Sequence, residues 1–283
     1  MTASNTTAEG ERETLIIKRE GSVLHVTLNR PAVRNAMSLR MVAELRSALE
    51  TAETGGVVRV VVLRGAGGHF CAGADLKDMA AARMGLMQGD SQVGAVGLAM
   101  DTVARANAQF GALCVAYANT SLALVAVLEG SVMGGGFGLA CVADVALACD
   151  SVAFRLPETA LGVVPAQIAP FLVERLGYSQ AKRLAVTAGR LGAASALAIG
   201  LVHAVHAPDQ IDAALAAVLA DILACAPGAV AATKALVAKA RLTPPAELVE
   251  GAALVFSKAV QGPEGIEGTT AFLQKRKPNW AMQ

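Results

Sequence analysis

The sequence is poor in charge and in aromatics. Only 17% of its 283 residues are charged and 4% are Phe, Trp or Tyr. Its 24 Lys and Arg nearly balance 23 Asp and Glu. A formal net charge of +1 leaves no basic excess for nucleic acid and no polybasic patch for a membrane surface. The five cysteines, Cys71, Cys114, Cys141, Cys149 and Cys225, include no C-x-x-C pair. That spacing argues against a zinc site, and the odd count argues against a closed disulfide framework. Small buried thiols of this kind suit a reducing compartment, so a cytoplasmic protein is expected. The four histidines, His25, His69, His203 and His206, make no ligand pattern. No metal or redox cofactor is expected. No apolar stretch runs for the ~20 residues, free of glycine and charge, that a membrane-spanning helix needs. Residues 1–13 are polar, lack the basic-then-apolar order of a signal peptide, and are expected to form a disordered leader.

What stands in their place is aliphatic mass: 54% of the chain is hydrophobic, mostly Ala, Val and Leu. The length suits one large domain, or one domain with an appendage. Residues 14–18 and 23–28 read as a hairpin. Ser38 caps a helix to about residue 53, with Leu39, Val42, Leu45 and Leu49 on one face, and Gly55-Gly56 stops it. The β-branched run 57–63 reads as a strand buried on both faces. Strand, helix, strand in this order predicts a right-handed crossover and an α/β architecture. Residues 79–118 read as a helix pair weakened by Gly85, Gly89, Gly94 and Gly97, either a wall for a bulky apolar ligand or plain core. Beyond residue 167 helices dominate, broken at Pro227 and Pro244-Pro245. The expected organisation is a leader at 1–13, an α/β core over 14–192 and a helical region over 193–283. The alanine-rich helices of that last region are too apolar for free surface, so self-association is expected.

Two glycine-rich turns carry the chemistry. One leaves the strand at 57–63 through Gly65-Ala66-Gly67-Gly68 and reaches Cys71-Ala72-Gly73-Ala74-Asp75. The other leaves an apolar strand at 122–128 and runs through Gly134-Gly135-Gly136 into a helix at 137–142. Glycines there let another molecule approach the backbone, and the unpaired N–H groups of a helix start favour negative charge. The second turn is not the dinucleotide pattern, because Leu139 stands where its last glycine would fall, and no Lys-Ser or Lys-Thr follows for a P-loop. Ligands of open α/β sheets bind beyond the carboxyl ends of strands, so the two turns can face one pocket. A strand at 145–149 follows, and then Glu158, a lone carboxylate behind Pro157. Beside Leu156 and Leu161 it would be desolvated and its pKa raised toward general acid–base use; the alternative is an ion pair with Arg155. Cys71 has no evident base partner and reads as an inert thiol. Asp144 and Asp150 read as capping or pairing groups.

Several pieces, in this order and spacing, resemble the crotonase (enoyl-CoA hydratase/isomerase) superfamily. They are Asn29-Arg30-Pro31 with Arg34-Asn35-Ala36, Phe70-Cys71-Ala72-Gly73-Ala74-Asp75-Leu76, Gly134-Gly135-Gly136, Leu156-Pro157-Glu158 and Ala271-Phe272-Leu273-Gln274-Lys275-Arg276. Within it, the stretches over 129–146 and 164–171 are similar to the branched glutaconyl-CoA hydratases, first isohexenylglutaconyl-CoA hydratase of acyclic terpene breakdown, then 3-methylglutaconyl-CoA hydratase of leucine breakdown. The resemblance implies a spiral of ββα turns with a helical C-terminal region that packs trimers, usually paired into hexamers. It implies an oxyanion hole from the N–H groups of Ala74 and Gly135, with Glu158 as acid/base. It places coenzyme A along Arg30, Arg34, Ala36, Ala72, Asp75, Leu76, Lys77, Gly134 and Phe272, with Lys275 of the tail reaching a neighbour's ligand. The substrate is then an acyl-CoA thioester.

The chain departs from the family at one point. Many of these hydratases carry two glutamates; the first falls here at Gly138. Hydration of a branched 2-enoyl-CoA by Glu158 alone is the expectation. The alternatives are a Δ3-Δ2 enoyl-CoA isomerase of the same fold and a non-catalytic acyl-CoA-binding protein.

Overall fold

A computed structural model describes residues 12–87, 91–93 and 99–281. It begins with the expected hairpin, β1 (Leu15–Glu20) against β2 (Val23–Leu28), antiparallel with Leu15 opposite Leu28. The helix α1 (Leu39–Thr54) starts at Ser38, whose Oγ accepts from the Met41 N–H at 3.1 Å, as a serine before a helix should. The crossover returns to β3 (Val60–Gly65), parallel to β2. Beyond it come α2 (Leu76–Met87), a short antiparallel pair β4 (Ser91–Val93) and β5 (Ala99–Asp101), and α3 (Thr102–Asn119). The helix pair expected over 79–118 is thus split by a hairpin. Asp101 restarts the helix by accepting from Ala104 N–H at 2.8 Å. Gly89, Gly94 and Gly97 lie outside the described residues, as do residues 1–11 of the expected leader, whereas Glu13 N–H is already tied to Glu44 at 3.1 Å.

Then follow β6 (Ala123–Leu128), β7 (Ser131–Met133), α4 (Gly135–Val142), β8 (Val145–Cys149) and β9 (Ala153–Arg155). After α5 (Ala169–Val186), interrupted at Gly177, come β10 (Arg190–Gly192), α6 (Ala193–Ala198) and β11 (Ala204–His206). The main sheet has the order β1-β2-β3-β6-β8-β11, parallel beyond β2. A second sheet, β10-β9-β7, stands beside it. Its strands of three residues each are too short to carry a readable period in the sequence. The helices α7 (Ile211–Ala224), α8 (Pro227–Ala240), α9 (Pro245–Gln261) and α10 (Pro263–Leu273) complete the chain; the last three each begin on the proline that the sequence places there. No single described helix is long and apolar enough to cross a membrane.

The core follows from alternation along the central strands. Val61 and Leu63 of β3 and Leu124, Ala126 and Leu128 of β6 pack toward α1, α3 and α4. Val60, Val62, Val125 and Val127 face the other side, against Ile211 and Leu215 of α7. A strand period of two with both sets apolar is what a doubly covered parallel sheet requires.

One buried amide fixes the approach to the glycine turns. Asn35 has a left-handed φ of 56°, which asparagine tolerates. Its Oδ1 accepts from Arg30 N–H at 2.8 Å, and its Nδ2 donates to the carbonyls of Ala66 and His69 at 2.9 and 2.6 Å. Asn35→Ala would orphan all three backbone groups. Urea denaturation should show a loss of at least ~2 kcal/mol, the scale expected when buried partners are left unsatisfied.

Candidate active site

The first turn begins where β3 ends. Gly65 is forced, since a Cβ there would lie 1.9 Å from the His69 carbonyl oxygen. The chain then adds itself to the second sheet. Phe70 N–H donates to Glu129 O at 2.8 Å, Cys71 N–H to Ser131 O at 3.0 Å, and Met133 N–H to Cys71 O at 2.9 Å. On its other side Met37 N–H donates to Gly73 O and Asp75 N–H to Met37 O. The Ala74 N–H between them donates to no atom among the described residues.

The second turn follows β7. Gly134 has φ 48° and ψ −116°, a conformation that favours glycine. Its N–H donates to Arg155 O at 3.1 Å, and its carbonyl accepts from Gly138 N–H at 3.1 Å. Gly135, the first residue of α4, has an N–H that donates to no described atom either. The turns touch: a Cβ on Gly134 would stand 3.6 Å from Gly73 Cα, and one on Gly136 would stand 2.6 Å from Cys71 Cβ. Glycine permits this approach, which brings two unclaimed N–H groups, Ala74 and Gly135, to neighbouring turns.

Glu158 reaches the same place from the third direction. It opens a short 3-10 turn after Pro157, anchored by Val163 N–H donating to its carbonyl at 3.0 Å. Its Oε1 would lie 3.0 Å from a Cβ on Gly134. Its Oε2 is buried with no hydrogen-bond partner. Burial raises the Glu158 pKa, against a smaller lowering by its own backbone N–H. No ion pair joins it to Arg155, whose own Nε is buried and unpartnered. Of the two leucines expected to desolvate it, Leu156 is buried but Leu161 is 66% exposed.

Gly138 is not the empty place that a missing glutamate suggests. A Cβ there would lie 2.4 Å from Ile168 Cγ2 and 3.6 Å from Phe110 Cζ. Neither Phe110 nor Ile168 is legible as a site residue in the sequence, because no spacing ties either to Gly138.

The expected ligand-binding residues divide. Arg30 is neither a solvated charge nor an uncommitted phosphate ligand: its Nη1 lies 2.7 Å from Asp75 Oδ2 and donates to Ala36 O at 2.6 Å. Burial would raise the Asp75 pKa, but the Arg30 hydrogen bond and the Lys77 N–H outweigh it and hold it low. Arg30, Ala36 and Asp75 therefore clamp the loop after β2 to the first turn. Arg34 is exposed, and its carbonyl takes the Ala72 N–H at 2.9 Å. Leu76, 72% exposed, and the exposed Lys77 follow the same turn onto α2. Phe272, 83% exposed, and Lys275 take no part in the contacts that join the turns. Cys71 is fully buried and its thiol is pushed up to about 11 by that burial, as an inert thiol would be. His69 Nδ1 accepts from Ser131 N–H, and Asp144 pairs with Lys234, both as scaffolding.

The raised Glu158 pKa has a stability consequence. A carboxylate with a folded pKa above its unfolded value favours folding when protonated, and loses that contribution as pH rises through the folded value. At pH 7, above the ordinary glutamate value, the raised pKa therefore costs stability. Glu158→Gln should raise the Tm at pH 7, and the gain should shrink toward zero on acidification below about 4.5, the ordinary glutamate value. Thermal melts across that range measure it; a gain that grows on acidification would contradict the burial.

Comparison with known proteins agrees with this geometry. The enoyl-CoA hydratase/isomerase family pattern matches residues 18–283. The structure is similar to an enoyl-CoA hydratase/isomerase from Marinobacter aquaeolei, with a TM-score of 0.88 and 47% identity over 95% of this chain and 99% of that one. It is similar to Pseudomonas aeruginosa AtuE, with a TM-score of 0.87 and 49% identity over 95% of this chain and 100% of that one. The 2,3-dehydroadipyl-CoA hydratase of Escherichia coli K12 is 32% identical over 94% of this chain and 98% of its own. A match that covers all the strands and helices from β2 onward stands beside two glycine turns that meet at a half-buried glutamate, and the chain belongs to the enoyl-CoA hydratase/isomerase family.

Proposed function

We propose that the protein is an enoyl-CoA hydratase that adds water to a branched, glutaconyl-type 2-enoyl-CoA, isohexenylglutaconyl-CoA or 3-methylglutaconyl-CoA, with Glu158 as its one acid/base. The observation that carries this reading is the convergence of a half-buried carboxylate, one oxygen of which is buried without a partner, with two unclaimed N–H groups on touching turns. A thioester carbonyl seated on Ala74 and Gly135 N–H becomes enolate-like when a nucleophile reaches its β-carbon. Preorganised donors stabilise that charge by an amount on the order of 3 kcal/mol each, and the α4 dipole adds to them. Ionised Glu158 takes a proton from water as the hydroxyl bonds to the β-carbon. It then returns that proton to the α-carbon, so both new bonds form on one face. A similar protein whose name specifies an unsaturated dicarboxylic acyl-CoA, 2,3-dehydroadipyl-CoA, supports a carboxylated substrate. Exposed Arg34, Leu76 and Lys77 and half-buried Ala72 are the candidates for the CoA moiety, with Arg30 and Asp75 holding their turn in place.

A single carboxylate also suits a Δ3-Δ2 isomerase, in which one base removes a proton at one carbon and returns it two carbons away. Apolar groups beside Gly138 favour that reading equally. A panel of crotonyl-CoA and branched enoyl-CoAs separates the two: loss of enoyl absorbance is hydration, and a shifted double bond is isomerisation. Glu158→Gln should fold, bind CoA ester and lose at least ~10²-fold in kcat, the scale of general acid–base catalysis. The acidic limb of the wild-type kcat/KM profile should lie above about 4.5, because the Glu158 pKa is raised by burial. Near-wild-type turnover by Glu158→Gln would remove it as the acid/base.

The reading includes a trimer, paired into a hexamer, placed in the cytoplasm and needing no cofactor beyond its CoA ester. Leu254 and Phe256 of α9 and Ile266, Phe272 and Leu273 of α10 are large, apolar and more than half exposed in one chain, a density that solvent disfavours. Sedimentation should show an assembly; a fully active dilute monomer would refute it.

A further inference from the structure

The side of α4 that carries Gly135 and Gly138 is lined with hydrocarbon. A Cβ at Gly135 would meet Phe110 Cζ at 3.2 Å, and one at Gly138 would meet the same atom at 3.6 Å and Ile168 Cγ2 at 2.4 Å. One phenyl edge therefore spans the first turn of α4 next to the Gly135 N–H, with the Ile168 methyl filling the space behind it. Ile168 is buried, while Phe110 keeps part of its ring exposed. The two come from separate elements, α3 and the residue before α5, and an amide clasp holds them in register. Gln167 Nε2 donates to Asn107 Oδ1 at 2.8 Å, and Gln167 Oε1 sits where a Cβ on Gly111 would come within 2.0 Å of it. Asn107, Phe110 and Gly111 share one face of α3 by their spacing. Glu158 lies against Gly134, so the polar and apolar sides of the site are divided between adjacent glycines.

We propose that Phe110 and Ile168 form the specificity-determining wall of the acyl site, admitting hydrocarbon up to the phenyl edge and leaving no room for a second carboxylate. The inference rests on the acyl-CoA reading above, because it needs a thioester on the Gly135 N–H to bring the β-carbon near the ring. It assigns acyl selection to an α3 residue and a pre-α5 residue rather than to a group that exchanges protons.

The test uses saturated esters, which report binding without turnover. Affinities of butanoyl-CoA and 3,3-dimethylbutanoyl-CoA are measured by calorimetry for wild type, Phe110→Ala and the milder Phe110→Leu. The ratio should move by at least ~10-fold toward the bulkier ester in Phe110→Ala, on the scale of a methylene or more of pocket space, and in the same direction but less in Phe110→Leu. Esters that bind with a ratio unchanged within about twofold in a folded variant would overturn this inference alone. Failure of every ester to bind wild type would overturn the acyl-CoA reading and this inference with it. A second arm tests the filled space directly: Gly138→Ala should lower the Tm, and adding Ile168→Ala should restore part of the loss. Additive losses in that double-mutant cycle would also overturn the wall.

Discussion

The close approach of two backbones, at Gly73 and Gly134, is the constraint on which the rest of the site depends. Gly73 and Gly134 hold positive φ values of 96° and 48° that a side chain would strain, and a Cβ on Gly136 would stand 2.6 Å from Cys71 Cβ. The approach is secured from outside by the ladder linking Cys71 to Ser131 and Met133, and by the Met37 bridge on the opposite side. The sheet and the loop claim the N–H groups of Cys71, Ala72, Met133, Gly134 and Asp75, whereas those of Ala74 and Gly135 donate to no described atom.

Glu158 shows the opposite balance. Its oxygen is buried without a donor, which a folded protein ordinarily avoids. The arrangement raises the proton affinity of the candidate acid/base, at the expense of stability at neutral pH. The surrounding structure offsets the cost. Arg30 and Asp75 knit the first turn, Asn35 closes the loop behind it, and the Val163 N–H anchors the Glu158 backbone. None of these groups touches the carboxylate.

Local patterns were legible in the sequence wherever one element carried its own signal. The Ser38 cap, the β-branched run of β3 and the prolines that open α8 and α9 each announce a boundary by a local physical preference. Both glycine turns and Glu158 were legible too as candidates, the turns from glycine where strands end and the glutamate from the family's motif, since of its two leucine neighbours only Leu156 is buried. What was not legible depends on separate segments meeting. The second sheet has strands too short for alternation to show. Arg30 read as a ligand contact, and only the fold reveals that Asp75 claims it. Gly138 read as a gap, because a sequence cannot show that Ile168 lies against it.

The register of the parallel sheet also governs the order in which this site can come into being. β3 pairs with β6 with Val60 opposite Ala123; the first glycine turn leaves β3, and the second follows β6 by way of β7. Parallel pairing across such a long intervening segment closes a large loop before any contact rewards it, so it is slow relative to the helices and the β1–β2 hairpin. During synthesis the first turn waits, with its glycines unpartnered, until β6 and β7 have followed it. The two turns of the candidate site therefore meet only after β6 and β7 are in place, and until then β3 has β2 alone beside it.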